Sequence, residues 1–549
     1  MQFYCADFET VNNREDCRVW AWGLENLYSD EYADGGEIET FIQHITKDKK
    51  NKKIWFHNLK FDGEFILQYL IRHKYKYNET PKYNGEYNTL ISDMGVFYSI
   101  SFKHNNCKID IYDSLKLLPF KLKDIAKQLK LDVQKLTIDY NEIRTTGHIA
   151  TKQEKQYLYH DVHILKLALC VIFEYGIKKI TIGSNALSDY KETIGKTNFK
   201  KLFPPPKYDK DIRQAYKGGF VYVNPIFAGK TLGEGIVLDI NSLYPYVLRD
   251  CLLPYGEPLF FEGKYEKDDY YPLYVQMFRC NFDLKDGYLP TIQLKNSPRF
   301  TATEYVKTTN GEPTTLCLSS VDLELFFEHY NVYDIEWFSG YKFRASTDLF
   351  KEYIDKWFDL KIKAEKDGNL GLRLISKLMQ NNLYGKFATN PDAKEKIPVG
   401  LKEDGTIAYS VQDSKREPVY IPVGIFVTAY ARRIIITAAQ KNYCRFIYCD
   451  TDSLHLIGIK LPLNLKIDKY LLGYFKHEAT FTKAKYLRPK TYIETINGEL
   501  KVTCCGMPEN IYPQVTYDNF CIGSAYKGKL RPVHVSNGIV LEETNFSLR

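Results

Sequence analysis

The chain has 549 residues, of which 44% are hydrophobic, 26% charged and 15% aromatic, and its formal net charge is +7. This composition is ordinary for a soluble globular protein, while the length excludes a fold built on one hydrophobic core, so we expect several domains. The excess of 75 basic over 68 acidic residues is small. A polyanionic partner is therefore allowed, and any surface that binds phosphates must be local.

The cysteines, the first residues and the hydropathy bear on the cellular compartment. The 12 cysteines show neither a CxxC pair nor a Cys/His zinc spacing, which indicates reduced thiols in a cytosolic protein. Met1 and Gln2 lead directly into FYCADFET, so we expect no signal peptide. The most apolar long window, 421–439, contains Arg432 and Arg433, so we expect no membrane span.

The N-terminal third has the pattern of an α/β unit in which separate elements present acidic side chains. Asp7 and Glu9 lie two positions apart in a predicted strand, which places both carboxylates on one face. Asp62 lies near the start of a helical pattern, and Asp161 follows Tyr157 by four residues in a second predicted helix. Such a set suits a two-metal site that cleaves phosphodiesters, with the tyrosine orienting a water molecule. Each acid alone is also consistent with a turn or a surface position.

A linker and a glycine-containing segment separate this unit from the next predicted core strand. Consecutive prolines at 204–206 predict the linker, because proline continues neither a helix nor a central strand. In the segment 216–219, YKGG, two glycines allow close backbone approach to a ligand, and the tyrosine and lysine suit DNA. Asp239 then ends an apolar strand predicted over 236–240. A carboxylate on a core strand needs a metal ion or a cationic partner.

The region 351–387 is predicted as two helices, and the second carries a polar stripe. Lys377, Asn381 and Tyr384 recur at helical spacing on one face of this helix. If the stripe faces the acids, it brings positive charge to a triphosphate and a ring to stack on a base. The ordinary alternative is a solvated helix face.

Two insertions and a basic C-terminal segment complete the pattern. The stretch 246–343 is predicted as short strands with one helix near 321–329 and shows no catalytic pattern. Asp404-Gly405 signals a β-hairpin, which is marginally stable alone, so we expect it to pack against a neighbour. A second hairpin signal is Asn537-Gly538. Basic residues before it are expected to contact duplex phosphates: Lys527, Lys529 and Arg531.

The segment RFIYCDTDSLHLIGI has Asp450 and Asp452 at its middle, between two apolar runs. It is predicted to form two strands joined by a tight turn. Carboxylates crowded on one turn repel each other, and Mg²⁺, which also takes ligands from substrate phosphates, relieves that repulsion. A solvated turn is the alternative, but the flanking Tyr448 and apolar strands favour a functional site.

In chain order these segments match the motifs of one enzyme family. DFET, HNLKFD and the Tyr157/Asp161 pair resemble the three exonuclease motifs of proofreading DNA polymerases, and YKGG resembles their YxGG segment. DINSLYP, KLMQNNLYG and YCDTDS resemble motifs A, B and C of family B, while TAYAR and KTY resemble its TxxAR and KxY motifs. The whole chain thus resembles a protein-primed family B DNA polymerase of a small, linear-genome tailed bacteriophage.

The resemblance implies a multi-domain α/β fold with a ribonuclease-H-like 3′-5′ exonuclease domain and a right-hand polymerase domain with two insertions. The expected segments are exonuclease 1–180, first palm part 181–250, terminal-protein insertion 251–345, fingers 346–388, hairpin insertion 389–418, second palm part 419–515 and thumb 516–549. The hairpin insertion is expected to support strand displacement and processivity.

The resemblance also implies roles for individual residues. The polymerase metal ligands are Asp239, Asp450 and Asp452, and those of the exonuclease are Asp7, Glu9, Asp62 and Asp161, with Tyr157 and Lys135 assisting. The nucleotide-binding residues are Lys361, Arg373, Lys377, Asn381, Tyr384 and Tyr244, whose ring would block a 2′-hydroxyl. The DNA contacts are Thr10, His57, Asn58, Phe61, Ser114, Leu115, Tyr216, Gly218, Gly219, Thr428, Arg432, Lys490 and Tyr492.

The expected cofactors are two Mg²⁺ ions per active site, for which Mn²⁺ can substitute. The expected partners are template and primer DNA, dNTPs, a terminal protein whose hydroxyl replaces the primer, and phage proteins that bind single- and double-stranded DNA. We expect a monomer in the cytoplasm of the bacterial host. Two alternatives are an exonuclease with an inactive polymerase half, against which the intact acids argue, and a reverse transcriptase, whose acidic pair is adjacent rather than separated by Thr451.

Overall fold

The computed structural model describes residues 1–139, 142–205 and 207–549, and it begins with a mixed sheet of eight strands. In chain order the elements are β1 (Gln2–Thr10), β2 (Val19–Asn26), β3 (Tyr32–Gly35), α1 (Ile38–Thr46), β4 (Lys52–Phe56), α2 (Leu59–Arg72), β5 (Lys76–Tyr77), β6 (Glu86–Ile91), β7 (Phe97–His104), β8 (Cys107–Asp113), a 3-10 turn (Ser114–Lys116), α3 (Leu122–Gln128) and α4 (Lys152–Glu174). The strand order is β3-β2-β1-β4-β8-β7-β6-β5, with β4 parallel to both β1 and β8.

This first sheet confirms the α/β unit predicted for the N-terminal third. Its strand β1 carries the acidic pair, and α4 is the second predicted helix, which carries Tyr157 and Asp161. Thr151 and Glu154 form a capping box at the start of α4, each side chain bonding the backbone N–H of the other residue. A capping box satisfies backbone donors that the first turn leaves free, which fixes where the helix begins.

Three helices lead from the first sheet toward the second. The elements are α5 (Ile182–Thr193), α6 (Lys196–Leu202), α7 (Asp209–Arg213), β9 (Val221–Val223), β10 (Thr231–Leu232), β11 (Gly235–Ile240) and α8 (Leu243–Asp250). Pro204 and Pro205 separate α6 from α7, as predicted. Pro206, the third proline of the predicted linker, lies outside the described residues.

The first insertion is an antiparallel sheet with one helix, as predicted, but its strands have 10, 12, 6 and 17 residues and most are longer than the short strands expected. It comprises β12 (Leu253–Glu262), β13 (Leu273–Leu284), β14 (Thr314–Ser319), α9 (Ser320–His329) and β15 (Tyr330–Ser346). The strand order is β12-β15-β13-β14. The Ser319 hydroxyl caps α9 by accepting a hydrogen bond from the N–H of Asp322, which explains the short step from strand to helix.

Two helices and a hairpin follow the insertion. They are α10 (Lys351–Lys366), α11 (Leu370–Phe387), β16 (Asp392–Leu401) and β17 (Ile407–Lys415). The two strands form a two-stranded sheet, Glu395 of β16 also forms an isolated bridge with Ser92, and Gly405 in the turn has a φ of 78°. The left-handed conformation suits glycine and confirms the hairpin predicted at Asp404-Gly405.

The C-terminal part completes a second large sheet and ends in a hairpin. Its elements are α12 (Ile421–Lys441), β18 (Phe446–Asp450), β19 (Ser453–Ile457), β20 (Phe475–Arg488), β21 (Thr491–Ile496), β22 (Glu499–Cys504), a 3-10 helix (Glu509–Gln514), β23 (Ala525–Val535) and β24 (Gly538–Ser547). The second sheet has the order β22-β21-β20-β11-β19-β18-β9, with β10 on β20. It therefore joins strands from both sides of the insertion.

The helix α12 lies in the core. By length and composition it is apolar enough to cross a membrane, but 78% of its most apolar window is buried inside the fold. This burial is expected of a core helix. The 12 cysteines all lie in the described part of the chain and are free thiols.

Candidate active sites

The Asp-Thr-Asp turn joins β18 to β19 as predicted. β11 is hydrogen-bonded to β19 and carries Asp239 beside the turn, where the N–H of Ile240 donates to the carbonyl oxygen of Asp452 at 2.9 Å. Thr451 has a φ of 62°, a costly conformation for a β-branched residue that is typical of functional sites. We call Asp239, Asp450 and Asp452 the Asp452 site.

Burial and repulsion between carboxylates disfavour the charged state of this site. Burial, together with the carboxylate of Asp239, raises the pKa of Asp452 to about 6. The negative charge of Asp450 is compensated by protein groups. Its Oδ2 accepts hydrogen bonds from the Lys490 ammonium at 2.7 Å and the Tyr448 hydroxyl at 3.2 Å. A divalent cation would stabilise neighbouring carboxylates of this kind, so the residues fit Mg²⁺.

Two tyrosines predicted to contact the nucleotide stack on each other beside these acids. Tyr244 is in the first turn of α8, and its ring centroid lies 4.1 Å from that of Tyr384 on α11, with 25° between the planes. Because α8 follows β11 directly, Tyr244 is placed close to the Asp452 site. Burial, with a contribution from the Asp452 carboxylate, raises the pKa of the Tyr244 hydroxyl. The two rings form one aromatic surface next to the acids.

The predicted nucleotide-binding residues of α11 also share one side of the helix. Arg373, Lys377 and Asn381 are spaced by four residues and are all exposed. Lys361 on α10 lies close to this row, since burial and the charges of Arg373 and Lys377 lower the pKa of the Lys361 ammonium. The arrangement concentrates positive charge that a triphosphate would neutralise.

The 216–219 loop lies against the acidic turn and is held there by a buried arginine. A Cβ at Gly219 would lie 2.7 Å from the Thr451 Oγ1, so only glycine permits this approach. The Arg432 guanidinium donates to two carbonyl oxygens of the loop, each at 2.7 Å, and to the Asp322 carboxylate of α9 at 2.6 Å. Asp322 and Arg432 thereby connect the insertion to the turn of the Asp452 site.

The TAYAR residues predicted to contact DNA are covered by protein atoms. Thr428 is fully buried and its hydroxyl donates to the carbonyl of Gly424 at 3.1 Å, and Arg432 is buried in the contacts just described. Arg432 therefore holds the 216–219 loop in place, whereas the Thr428 hydroxyl bonds only within α12 among the contacts of the described residues. Their role as direct DNA contacts stays a prediction.

Three acids of the first sheet converge at the distance expected of cation ligands. Carboxylate oxygens of Asp7, Glu9 and Asp161 lie within 4.8 Å of one another. Asp161 Oδ2 accepts a hydrogen bond from Lys135, while its Oδ1 is buried and has no partner among the described residues. An unpaired buried carboxylate oxygen is costly unless a cation binds it. With Asp62 these acids form what we call the Asp7 site, and they fit a divalent metal ion.

The electrostatics of the Asp7 site are those of closely packed acids. Burial and the neighbouring carboxylates raise the pKa of Asp7 to about 7, and they raise those of Glu9 and Asp62 well above the ordinary range. The Lys135 ammonium also donates to the Tyr157 hydroxyl at 3.2 Å. The predicted lysine therefore reaches Asp161, and the predicted tyrosine is hydrogen-bonded to that lysine.

The segments predicted to hold a single-stranded end meet at Asp113. Its Oδ1 accepts the backbone N–H groups of Asn58 and Leu115, each at 3.0 Å, and thereby supports the φ of 68° at Asn58. Ser114 is fully buried, with its hydroxyl 2.9 Å from His57 Nδ1. Among these predicted contacts, Asn58 is exposed, and the half-buried ones are Thr10, His57, Phe61 and Leu115.

The predicted contacts near the C-terminus are placed differently from one another. Tyr492 packs in a cluster of tyrosines, with its ring 5.1 Å from that of Tyr448. On β23, Lys527 and Arg531 are exposed, and the Lys529 ammonium lies 5.2 Å from the Phe546 ring centroid. The exposed cations remain available to phosphates.

The β16–β17 hairpin, the β23–β24 hairpin and α2 contact one another. Glu64 on α2 accepts a hydrogen bond from the Tyr409 hydroxyl at 3.2 Å and lies 3.0 Å from His534 Nδ1. The Gln68 amide donates to the carbonyl of Gly405 at 3.2 Å. This confirms the prediction that the hairpin packs against neighbours.

A basic cleft of about 1000 Å³ opens between the first sheet, α5, α6, α11 and the end of β17. Only one acidic residue, Glu417, is among the described residues that line it. The basic side chains that line it are Lys116, Lys191, Lys196, Lys200, Lys386 and Arg416. This charge suits a polyanion.

Sequence patterns did not reveal three residues that the structure places at the sites. Lys476 on β20 donates to Asp239 at 3.0 Å, Asp113 organises the Asn58 segment, and Asp322 pairs with Arg432. Each acts across strands or domains, so no local spacing marks it.

Comparison with known proteins gives concordant matches. The profile of the family described as "DNA polymerase type B, organellar and viral" matches residues 45–161 and 149–469. The DNA polymerase of Bacillus phage phi29 is 44% identical over 577 residues, covering 100% of this chain and 99% of the relative. That of Streptococcus phage Cp-1 is 33% identical over 579 residues, covering 100% and 98%.

A solved structure agrees over the same length. The phi29 DNA polymerase complexed with primer-template DNA and incoming nucleotide substrates matches with a TM-score of 0.94 at 44% identity, covering 100% of both chains. The match confirms the fold class predicted from the motifs. The chain therefore belongs to the type B DNA polymerases of organelles and viruses.

Proposed function

We propose that this DNA polymerase replicates a linear phage genome by protein-primed, strand-displacing synthesis with 3′-5′ proofreading. The observation that supports this most is the pair of acidic sites on separate sheets, the Asp452 site and the Asp7 site. Primer-template DNA and dNTPs are the proposed ligands, as in the phi29 complex. The enzyme would act inside the infected host.

Nucleotide addition is assigned to the Asp452 site. Asp239 and Asp452 would hold two Mg²⁺ ions, which when bound activate the primer 3′-hydroxyl and neutralise the departing pyrophosphate. Lys490 keeps Asp450 oriented in the turn, and Tyr384 offers its ring to the incoming base. The residues proposed to contact the triphosphate or the base are Lys361, Arg373, Lys377 and Asn381.

Replacing Tyr244 with valine is expected to raise ribonucleotide incorporation relative to deoxyribonucleotide incorporation by roughly 10- to 200-fold, the range that steric pocket differences provide. The ring stacks on Tyr384 beside the acids, and its loss opens space for a 2′-hydroxyl. Single-nucleotide incorporation with each sugar measures the ratio. Tyr246→Val is a matched control, because the Tyr246 ring packs on Gly473 instead; unchanged discrimination in Tyr244→Val would place the steric gate elsewhere.

Proofreading is assigned to the Asp7 site. Its carboxylates would hold the metal ions, Tyr157 would orient the attacking water, and Lys135 would neutralise charge at Asp161. Asn58 is exposed at the start of α2, where it can reach a single-stranded 3′ end. The 216–219 loop touches the turn of the Asp452 site, so we assign to it the transfer of the primer between the two sites.

Strand displacement is assigned to the basic cleft and the β16–β17 hairpin. The cleft is bounded by the first sheet, α11 and the end of β17, and its six cations favour a phosphate backbone. A template strand that enters between these elements would have to leave its complementary strand outside. Advance of the enzyme would then separate the duplex.

Protein priming is assigned to the first insertion. Large apolar side chains are unusually exposed there, and exposed apolar surface typically marks an interaction site. These residues are Leu259, Phe260, Tyr270, Phe327, Tyr333 and Phe338. A terminal protein that docks on this surface would present its hydroxyl residue to the Asp452 site, to which Asp322 and Arg432 connect the insertion.

The experiment that tests priming combines the polymerase with the terminal protein encoded by the same phage, labelled dNTP and Mg²⁺. We expect a covalent nucleotide–protein adduct. Phe260→Ser together with Phe338→Ser should reduce adduct formation by about tenfold or more, the effect of losing interface anchors, without changing DNA-primed extension. Tyr83→Ser removes an exposed ring outside the insertion and serves as control. Absence of the adduct, with DNA-primed extension intact, would indicate a different initiation route.

The segment assignments follow from these roles. We assign exonuclease to 1–180, palm to 181–250 and 419–515, terminal-protein docking to 251–345, fingers to 346–388, the hairpin insertion to 389–418 and thumb to 516–549. The phage proteins that bind single- and double-stranded DNA remain proposed partners, and the proposed state is a monomer.

A further inference from the structure

Lys476 reaches the Asp452 site from the strand next to the one that carries Asp239. β20 pairs with β11 so that Lys476 is directly opposite Asp239. Residues paired across antiparallel strands point to the same face of the sheet. The Lys476 ammonium lies 3.0 Å from the Asp239 carboxylate, and 34% of the lysine side chain is exposed. The ammonium is thus anchored at the acids but open to solvent.

The electrostatic neighbours of Lys476 are of two kinds. The first kind is acidic: the ammonium interacts with the carboxylates of Asp239, Glu478 and Asp452. On its other side, the charge of Lys476 adds to burial and the cations of α11 in lowering the pKa of Lys361. Lys476 is therefore close to both the acids and the cations proposed to bind a triphosphate.

We propose that Lys476 is a further nucleotide-binding residue that contacts the triphosphate of the incoming dNTP. The inference rests on the proposed function of Asp239 as a metal ligand. A divalent cation held by that carboxylate would repel an ammonium at hydrogen-bonding distance. The flexible four-carbon stem of lysine would let the ammonium move to another anion. A triphosphate bound between Asp239 and Lys361 would lie close enough for the ammonium to contact it. A charge-assisted hydrogen bond to a phosphate oxygen then replaces the one to Asp239.

The test measures dNTP affinity without chemistry. The enzyme is bound to a primer-template with a dideoxy-terminated primer and Mg²⁺, and the Kd of the next correct dNTP is determined. Lys476→Gln is expected to weaken binding by about tenfold, the effect of losing one charge-assisted hydrogen bond. Lys476→Arg keeps the charge and is expected to stay within about threefold of the natural sequence. Lys483→Gln is the matched control, since this exposed lysine on the same strand lies over the Tyr517 ring at 4.4 Å.

Two further readouts separate the possible explanations. Degradation of single-stranded 3′ ends by the same Lys476→Gln preparation verifies that the protein is folded. Binding of Mn²⁺ in the absence of nucleotide, measured by electron paramagnetic resonance, shows whether the lysine competes with metal at Asp239. Unchanged dNTP affinity in Lys476→Gln would overturn the proposal, even if Mn²⁺ binding became tighter. An equal loss of dNTP affinity in Lys476→Arg would also overturn it.

The metal assignment is tested separately by Asp239→Asn. If that variant still incorporated dNTPs at the normal rate, the proposed metal site would be wrong whatever Lys476 does. If Asp239→Asn is inactive while Lys476→Gln binds dNTP normally, only the assignment of Lys476 is overturned.

Discussion

Replacing Asp452 with alanine is expected to abolish primer extension while single-stranded 3′ ends are still degraded at the normal rate. Burial and the Asp239 carboxylate raise the pKa of Asp452 to about 6, which is the environment of an acid that needs a cation. Loss of a metal ligand should slow nucleotide addition by at least about a thousandfold. Extension of a labelled primer with dNTPs and Mg²⁺, beside digestion of a labelled single strand, measures both activities.

Asp62→Ala is the reciprocal variant and should show the opposite pattern. Asp62 lies on α2 against the first sheet, buried close to Asp7, and takes no part in the second sheet. Asp62→Asn keeps the shape of the side chain and isolates the effect of its charge. A folded protein that lost both activities through either single change would contradict the assignment of two separate sites. Retained extension in Asp62→Ala would also exclude the alternative of an exonuclease with an inactive polymerase half.

Residues whose relation is local could be predicted from the sequence. Asp7 and Glu9 share a strand face because strands have a period of two, and Lys377 and Asn381 share a helix face because they are four apart. The hairpin at Asp404-Gly405 followed from a turn signal that glycine makes possible at a φ of 78°. In each case the backbone geometry of one element fixes the arrangement.

Residues that meet across elements could not be predicted in the same way. Lys476 and Asp239 are partners because β20 and β11 pair in one particular register, and nothing in either strand specifies that register by itself. Asp322 reaches Arg432 only because α9 packs against α12. Such contacts depend on tertiary packing, so they cannot be predicted from the spacing of residues in a single sequence.

The arginine of the TAYAR segment bonds to protein groups, although the motif predicts that it contacts DNA. The sequence of the segment predicts contact with DNA, yet Arg432 is buried. Its guanidinium donates hydrogen bonds to Asp322 and to two carbonyl oxygens of the 216–219 loop. Breaking one partner of a buried ion pair leaves the other charge uncompensated. Arg432 therefore stabilises the position of the 216–219 loop, whether or not it also contacts DNA.

The two hairpins contact each other at the Gly405 turn and through an apolar cluster below it. A Cβ at Gly405 would lie 2.6 Å from the Ser536 Oγ at the β23–β24 turn. Below the tip, Ile407 is buried in the same apolar cluster as Ile539 and Val540 of β24. The hairpin is thus attached to both α2 and β24. We infer that this attachment closes the protein around bound duplex, which would slow its dissociation.

Replacing residues 397–411 with a short Gly/Ser linker is expected to shorten the products made before dissociation by at least about tenfold, since enclosure maintains a high effective concentration of DNA. Synthesis through a duplex should fall with it, while extension on a short open template survives. Product lengths on a primed circular template, with a DNA trap to prevent rebinding, measure the effect. A variant that still displaced strands over long distances would contradict the proposed enclosure of DNA by the hairpin.

A milder pair of variants separates enclosure from damage to the core. Gly405→Val is expected to push Ser536 away, keep Ile407 buried and still shorten the products made in one binding event. Gly498→Val imposes the same strain at a φ of 79° in another hairpin turn, where no atom lies within 4 Å of a Cβ, so it should leave product length unchanged. Equal shortening by both variants would attribute the effect to backbone strain. Shortening by Gly405→Val alone requires that the contact between the hairpins holds the enzyme on its template.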